Sequence, residues 1–330
     1  MEPSTTPTPK IVVSAMYRFA TLPDHESLRA PLLQIMQKHN IKGSLLLAKE
    51  GINGTIAGPL PAITSLLAHI KSTPQLAALT HKESYHTTLP FTHQKVVLKK
   101  EIVTMGLPDL DPLTCRGTYC APSEWNTLIS SPDTILIDTR NEYEIQTGTF
   151  QTAINPHISQ FTEFPQWVQN NLDPRTKKKI AMYCTGGIRC EKSTAYLKGL
   201  GFEEVYHLEG GILKYLEEVP KGESMWEGEC YVFDQRVTVD HELQRGKYDK
   251  CFGCRRPVSG EDKLGEGYEF GLSCPRCVGG LSEKQKMRFA ERERQFEKAE
   301  KGGKLHIGMD AKFDAKVNKE EKVKKREKER

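Results

Sequence analysis

Cys184 follows a short apolar run, Ile180 to Tyr183, and precedes Thr185, Gly186, Gly187, Ile188 and Arg189. The run reads as a buried strand, and the stretch beyond Arg189, with Ala195, Tyr196 and Leu200, reads as a helix. The cysteine therefore sits on a strand-to-helix loop. Its two glycines let backbone N–H groups turn toward one point, and the helix N-terminus adds partial positive charge there. Such a nest lowers a thiol from its free pKa of about 8.5, so Cys184 is expected to be largely thiolate near neutral pH, with Arg189 adding a full charge. The chemistry implied is nucleophilic attack or sulfur handling; a small buried residue closing a strand is the alternative. Cys190 could resolve a persulfide or sulfenate on Cys184. Packing beneath the loop is the preferred expectation for it, because the helix direction need not bring the two sulfurs together.

A second cysteine pattern lies downstream. Cys251 and Cys254, then Cys274 and Cys277, form two Cys-x-x-Cys knuckles with 19 residues between them. Four thiolates at that spacing can close a tetrahedron around Zn²⁺, and the metal would stabilise a segment too small to bury a core of its own. Four thiolates leave no open coordination position, so a structural role is expected.

These sites need a scaffold, and the composition allows one. The chain has 330 residues, 37% hydrophobic and 27% charged, enough for two or three domains with separate cores. No run approaches the roughly 18 apolar residues of a membrane span. Residues 1–9 read as a disordered leader without an apolar or arginine-rich signal. Nine cysteines without such a signal predict reduced thiols or metal ligands in a cytoplasmic protein. The net charge is only +4, so any RNA surface must be a local basic face.

In chain order, strand, helix, strand, strand, helix and strand are predicted over Lys10–Ala20, His25–His39, the two halves of Gly43–Gly58, Pro61–Ser72 and Glu83–Thr87, with a further extended stretch at Val96–Val103. This is the order of a ferredoxin-like α+β sandwich, placed at 10–110, with helices on one face of an antiparallel sheet. Trp226 to Val237 reads as an extended segment packing back on an earlier domain. Glu283 to Lys301 reads as a solvated helix, and 311–330 as a charged disordered tail that could add salt-dependent RNA affinity or direct nuclear import.

Asp138, Thr139 and Arg140 end a strand upstream of Cys184, and Gly210 and Gly211 precede a last helix downstream. With the Cys184 loop, these features resemble the rhodanese family. The resemblance implies a central α/β domain with a parallel sheet, placed at 120–225; the knuckles place a zinc-binding region with a helix at 226–310. Rhodanese-fold phosphatases need a longer loop than the four residues between Cys184 and Arg189, which argues against phosphatase activity.

A larger set of segments is similar to the rhodanese-containing tRNA uridine hydroxylase family. It comprises Lys49 to Gly58, Lys100 to Val103, Glu124 to Asn126, Asp138 to Asn141, Cys184 to Lys192, Leu208 to Leu213 and Gly228 to Val237. That resemblance implies oxygen-dependent conversion of the tRNA wobble uridine to 5-hydroxyuridine, with O2 as co-substrate, tRNA as partner and no assigned organic cofactor. Cys184 matches the active-site cysteine.

Thiolate addition at uracil C6 would make C5 electron-rich toward O2, with Gly186, Gly187 and Arg189 as candidate donors to the enolate oxygen. Thr185 and Ile188 complete that anion-binding loop. Lys49, Asn53, Lys100 and Lys192 are candidate contacts to substrate or RNA, with Glu191 and Lys192 expected within reach of solvent or a phosphate. Asp138 and Arg140 are read as structural charges bracing the loop. A rhodanese-type sulfurtransferase carrying a persulfide and a non-catalytic RNA-binding adaptor are the alternatives. The sequence does not set which tRNAs are recognised, the redox partner or the oligomeric state.

Overall fold

A computed structural model describes residues 11–176 and 178–301. The expected leader and tail lie outside them. The N-terminal unit runs β1 (Ile11–Phe19), α1 (Arg29–Lys38), β2 (Lys42–Ala48), β3 (Gly51–Pro59), α2 (Leu60–Lys71), β4 (Thr80–His86) and β5 (Gln94–Leu98). Its sheet has the order β4-β1-β3-β2-β5. The first four strands pair antiparallel, but β5 lies parallel to β2, so the sheet is mixed rather than antiparallel throughout.

Alternation along the strands explains the layering. Val12 and Met16 of β1, Leu45 and Leu47 of β2 and Ile52 and Ile56 of β3 join Leu32, Met36, Ile63 and Leu66 of the two helices in one core. Each such fully buried aliphatic side chain contributes about 1.5–3 kcal/mol. Tyr17, Asn53 and Thr55 line a cavity outside that core.

The second unit contains β6 (Thr118–Cys120), α3 (Pro122–Ile129), β7 (Thr134–Asp138), α4 (Glu142–Ile145), β8 (Gly148–Phe150), α5 (Phe164–Asn171), β9 (Lys179–Tyr183), α6 (Ile188–Gly199), β10 (Val205–Leu208) and α7 (Gly211–Glu218). Strands β6, β10, β9 and β7, in that order, form an all-parallel sheet with β9 in its interior. Cys184 stands at the carboxyl end of β9, where open parallel sheets place their ligands.

After α7 the chain returns. β11 (Trp226–Gly228) pairs with β8, and β12 (Cys230–Tyr231) pairs with β13 (Thr238–Val239). Trp226, Cys230, Val232 and Val239 bury themselves in the core around Trp125 and Phe150, with the Trp226 and Phe150 rings 5.1 Å apart. The extended segment from Trp226 thus packs back on an earlier domain, with these apolar side chains in the second core. The remaining elements are β14 (Asp249–Lys250), β15 (Pro257–Val258), α8 (Gly260–Leu264) and α9 (Glu283–Lys301). No helix among the described residues is long and apolar enough to cross a membrane.

Candidate active site

The turn from β9 into α6 is made by Gly187 at φ +93°, whose N–H donates to the Cys184 sulfur at 3.1 Å. Behind it, Gly211 adopts φ +66°, and a Cβ there would lie 2.5 Å from the Cys184 carbonyl oxygen and 2.6 Å from the Gly187 nitrogen. A side chain at Gly211 would push the loop out of place. The start of α7 also holds the loop: Ile212 and Leu213 donate their N–H groups to the carbonyls of Cys184 and Thr185 at 3.0 and 3.1 Å. The glycine pair before the last helix thus supports the cysteine directly.

Cys184 is buried at 1% exposure, which by itself would push its thiol up. A hydrogen bond from the Cys190 thiol, the Arg189 charge and the N–H groups of Arg189 and Cys190 outweigh that burial and hold the thiol down to about 6. Burial and the neighbouring Cys184 sulfur push the Cys190 thiol in the opposite direction, well above its usual value. Cys190 is wholly buried in the same apolar core as Cys184. Cys190 lies in the first turn of α6, and the Thr139 hydroxyl contacts its sulfur at 3.7 Å.

Arg189 spends its fork on Glu144, with both terminal nitrogens 2.7 Å from the two carboxylate oxygens. Glu144 is fully buried in α4 and also accepts the Asn141 N–H at 3.1 Å, closing a capping box. The Gly187 N–H and the Arg189 fork are therefore engaged by the thiolate and by Glu144, not free for a substrate oxyanion. The Gly186 N–H makes no hydrogen bond among the described residues, and the Thr185 hydroxyl donates to the Tyr231 carbonyl at 3.3 Å. Asp138 and Arg140 form a wholly buried pair at 2.6 Å, with Arg140 also donating to the Gly148 carbonyl. This pair does not line the cavity.

Lys192 requires a correction. It is not at the surface but completely buried, with its ammonium 2.8 Å from Glu50 and 2.7 Å from Glu101. Asn53 is likewise engaged, donating to the Ile102 carbonyl at 2.8 Å, while Glu50 accepts the Ile102 N–H. Ile102 packs with Phe19 and Ala48, and half-buried Ile188 packs against them. Glu191 is buried too, accepting the Tyr17 hydroxyl of β1 at 3.1 Å and the Tyr119 hydroxyl of β6 at 2.7 Å. Burial leads the causes that raise its carboxyl above the usual range. These residues clamp the N-terminal sheet, the stretch between β5 and β6 that carries Glu101 and Ile102, and α6 together. Only Lys49 and Lys100 of the expected RNA contacts are exposed, and neither lines the cavity.

The clamp encloses one side of a cavity of about 1080 Å³. Cys184, Gly186 and Arg189 line it from the second unit, Tyr17 and Thr55 from the N-terminal sheet, and Phe233 from the segment after β12. Phe233 is 58% exposed and stands edge-on to Tyr231, with the Arg189 guanidinium 5.9 Å from its ring centre. A planar ring entering the cavity meets aromatic faces and a recessed thiolate. Sequence reasoning missed Tyr17, Tyr119 and Phe233, which carry no local motif. It also missed Glu144, although Asn141 three residues before it is a capping signature.

The four knuckle sulfurs lie within 4.8 Å of one another, with Cys251 to Cys277 at 3.8 Å and Cys254 to Cys274 at 3.7 Å. Metal–sulfur bonds of about 2.3 Å in a tetrahedron put sulfurs roughly 3.8 Å apart. The four cysteines fit a metal ion such as zinc.

Two family models match the chain. The UPF0176 acylphosphatase like domain covers residues 11–102, and the Rhodanese-like domain covers 121–218. Among solved structures, the chain is similar to the rhodanese-like domain of an Anabaena protein at 17% identity and a TM-score of 0.29, over 33% of this chain and 78% of that one. It is similar to a rhodanese-related protein from Thermoplasma volcanium at 22% identity and 0.25, over 31% and 93%. It is also similar to the polysulfide-sulfur transferase homodimer from Wolinella succinogenes at 27% identity and 0.27, over 31% and 74%. The rhodanese domain supports cysteine-loop chemistry of the sulfurtransferase kind. An acylphosphatase-like domain of the UPF0176 type followed by a rhodanese domain is the architecture of the UPF0176 rhodanese-containing tRNA hydroxylase family.

Proposed function

We propose that this chain hydroxylates the wobble uridine of tRNA at C5, using O2 and the Cys184 thiolate. The observation that carries the reading is the Cys184 sulfur recessed in a cavity of about 1080 Å³ that residues of both units line, far more room than a small sulfur donor fills. Thiolate addition forms a sulfur–C6 bond and moves the C5–C6 electron pair toward the C4 oxygen, leaving C5 electron-rich. The free Gly186 N–H is the loop donor available to that oxygen. C5 then bonds to O2. Two thiols of an external reductant supply two electrons and two protons, cleaving the resulting hydroperoxide to a hydroxyl and water as they become a disulfide. Loss of the C5 proton expels the sulfur and restores the C5–C6 double bond. Phe233 and Tyr17 are suited to flank the ring.

The domain limits near 110 and 120, a ferredoxin-like assignment for residues 11–86, zinc as the knuckle ion and a reducing, cytoplasmic setting belong to the same reading. Strand order supports the second of these and sulfur spacing the third. Unmodified tRNA incubated with the protein, a thiol reductant and ¹⁸O2 is expected to yield 5-hydroxyuridine carrying one ¹⁸O. A product bearing solvent oxygen would refute the oxygenation step.

A sulfurtransferase reading is favoured by one observation: the Gly187 N–H donates to the Cys184 sulfur at 3.1 Å, a donor suited to steady a sulfur anion on the loop. A stable Cys184 persulfide that turns over to an acceptor thiol, without any 5-hydroxyuridine, would select it.

A further inference from the structure

In the cysteine module, α9 packs on the first knuckle and brings three arginines together with three phenylalanines. Phe289 is buried between two of them, with the Arg288 and Arg292 guanidinium carbons 5.4 and 4.9 Å from its ring centre. Arg292 also lies 5.9 Å from the ring centre of Phe252 and donates to the carbonyls of Phe252 and Gly271, locking α9 to the knuckle. Phe252 is 42% exposed and Phe270 63% exposed, with their ring centres 5.8 Å apart. Arg255 and Arg288 are exposed and form no ion pair or hydrogen bond through their side chains among the described residues. Together with Phe252, Phe289 and Arg292 they line a second cavity of about 530 Å³.

Exposed aromatic faces beside unpaired guanidinium groups are the pair of features that single-stranded nucleic acid requires. Bases stack on the rings, and the phosphates between them are neutralised by the cations. We infer that the surface formed by Phe252, Phe270, Arg255 and Arg288 binds a single-stranded segment of RNA, one or two unstacked bases with their phosphates. The inference rests on the tRNA reading above and assigns part of the RNA's recognition to the module. It also gives the module a use beyond holding a metal: the knuckle turn presents Phe252 and Arg255 from fixed backbone, while Arg292 fixes α9 against it. An acidic peptide would satisfy the arginines but leave the two exposed rings without a stacking partner.

The test is binding of a fluorescein-labelled stem-loop RNA to the full-length, zinc-loaded protein, followed by anisotropy across a salt series. Arg255→Ala with Arg288→Ala is expected to weaken binding about tenfold. It should also flatten the dependence of log affinity on log salt by about 1.4, at about 0.7 per single-strand phosphate. Arg255→Lys with Arg288→Lys is expected to keep the salt slope. Phe270→Ala, at the more exposed ring, is expected to weaken the loop RNA several-fold while leaving a blunt duplex of equal length unaffected. Zinc content and the unfolding midpoint of each variant establish that the module is folded. Unchanged affinity and salt slope in the double alanine variant, or equal binding of loop and duplex by the wild type, would overturn the inference. Formation of 5-hydroxyuridine by the wild type, assayed separately, distinguishes that failure from failure of the enzymatic reading.

Discussion

Around Cys184 the chain buries Arg140, Glu144, Arg189 and Lys192 within two large apolar cores, and each charge meets an opposite charge at 2.6–2.8 Å. Around Cys251 the fully buried cluster is only Cys251, Val258 and Cys274, with Tyr268 and the other two thiols half-buried beside it. The first region can carry the desolvation cost of ions because each is paired at short range beside large apolar cores, and the ions in turn fix which surfaces meet. The second has a much smaller apolar cluster, and four cysteines placed to hold an ion offer a substitute for a core. Catalytic geometry and presented surface are therefore stabilised by different means in one chain, and each should fail separately.

The largest separation should come from removing the metal. Chelation, or Cys274→Ser, is expected to abolish folding of the knuckle module, since thiolate–zinc binding supplies roughly 10 kcal/mol or more to such a segment. Hydrogen exchange should show protection lost around 249–280 while β9 and α6 keep theirs. Equal loss in both regions would break the contrast.

Breaking the ion cluster comes next. Lys192→Met leaves Glu50 and Glu101 buried without their cation, and is expected to cost about 3–5 kcal/mol in denaturant unfolding. Adding Glu50→Gln and Glu101→Gln to the same protein should recover part of that loss. A single Lys192→Met variant as stable as wild type would show that the clamp is not what joins the two units.

Smaller effects should appear at the thiol itself. Because the thiolate is the reactive form and the folded pKa is depressed, alkylation of Cys184 is expected to rise with pH through about 6 and to level off above it. Cys190→Ala removes the thiol that hydrogen-bonds Cys184. The midpoint should then move up by about one pH unit, equivalent to about 1.4 kcal/mol, with several-fold slower alkylation at pH 6. An unmoved midpoint would assign the depression to Arg189 and the helix N-terminus.

The cysteine loop was legible because its causes are local: a strand, two glycines and a helix start lie within a dozen residues. The knuckles were legible for the same reason. The β-α-β-β-α-β order came through from periodicity, but β5 running parallel to β2 did not, because nothing in 94–98 states a direction. Lys192 was misplaced because a lysine on a helix is ordinarily solvated; its burial depends on Glu50 and Glu101, 142 and 91 positions away, which no window reveals. The same holds for Tyr17 and Glu191, whose hydrogen bond spans the two units.

The central claim is that one sulfur, Cys184, carries the chemistry. Nucleoside analysis of tRNA treated with wild-type or Cys184→Ala protein tests it most directly. The account predicts 5-hydroxyuridine with the wild type and none above background with Cys184→Ala at unchanged stability, whereas full hydroxylation by the alanine variant would contradict it.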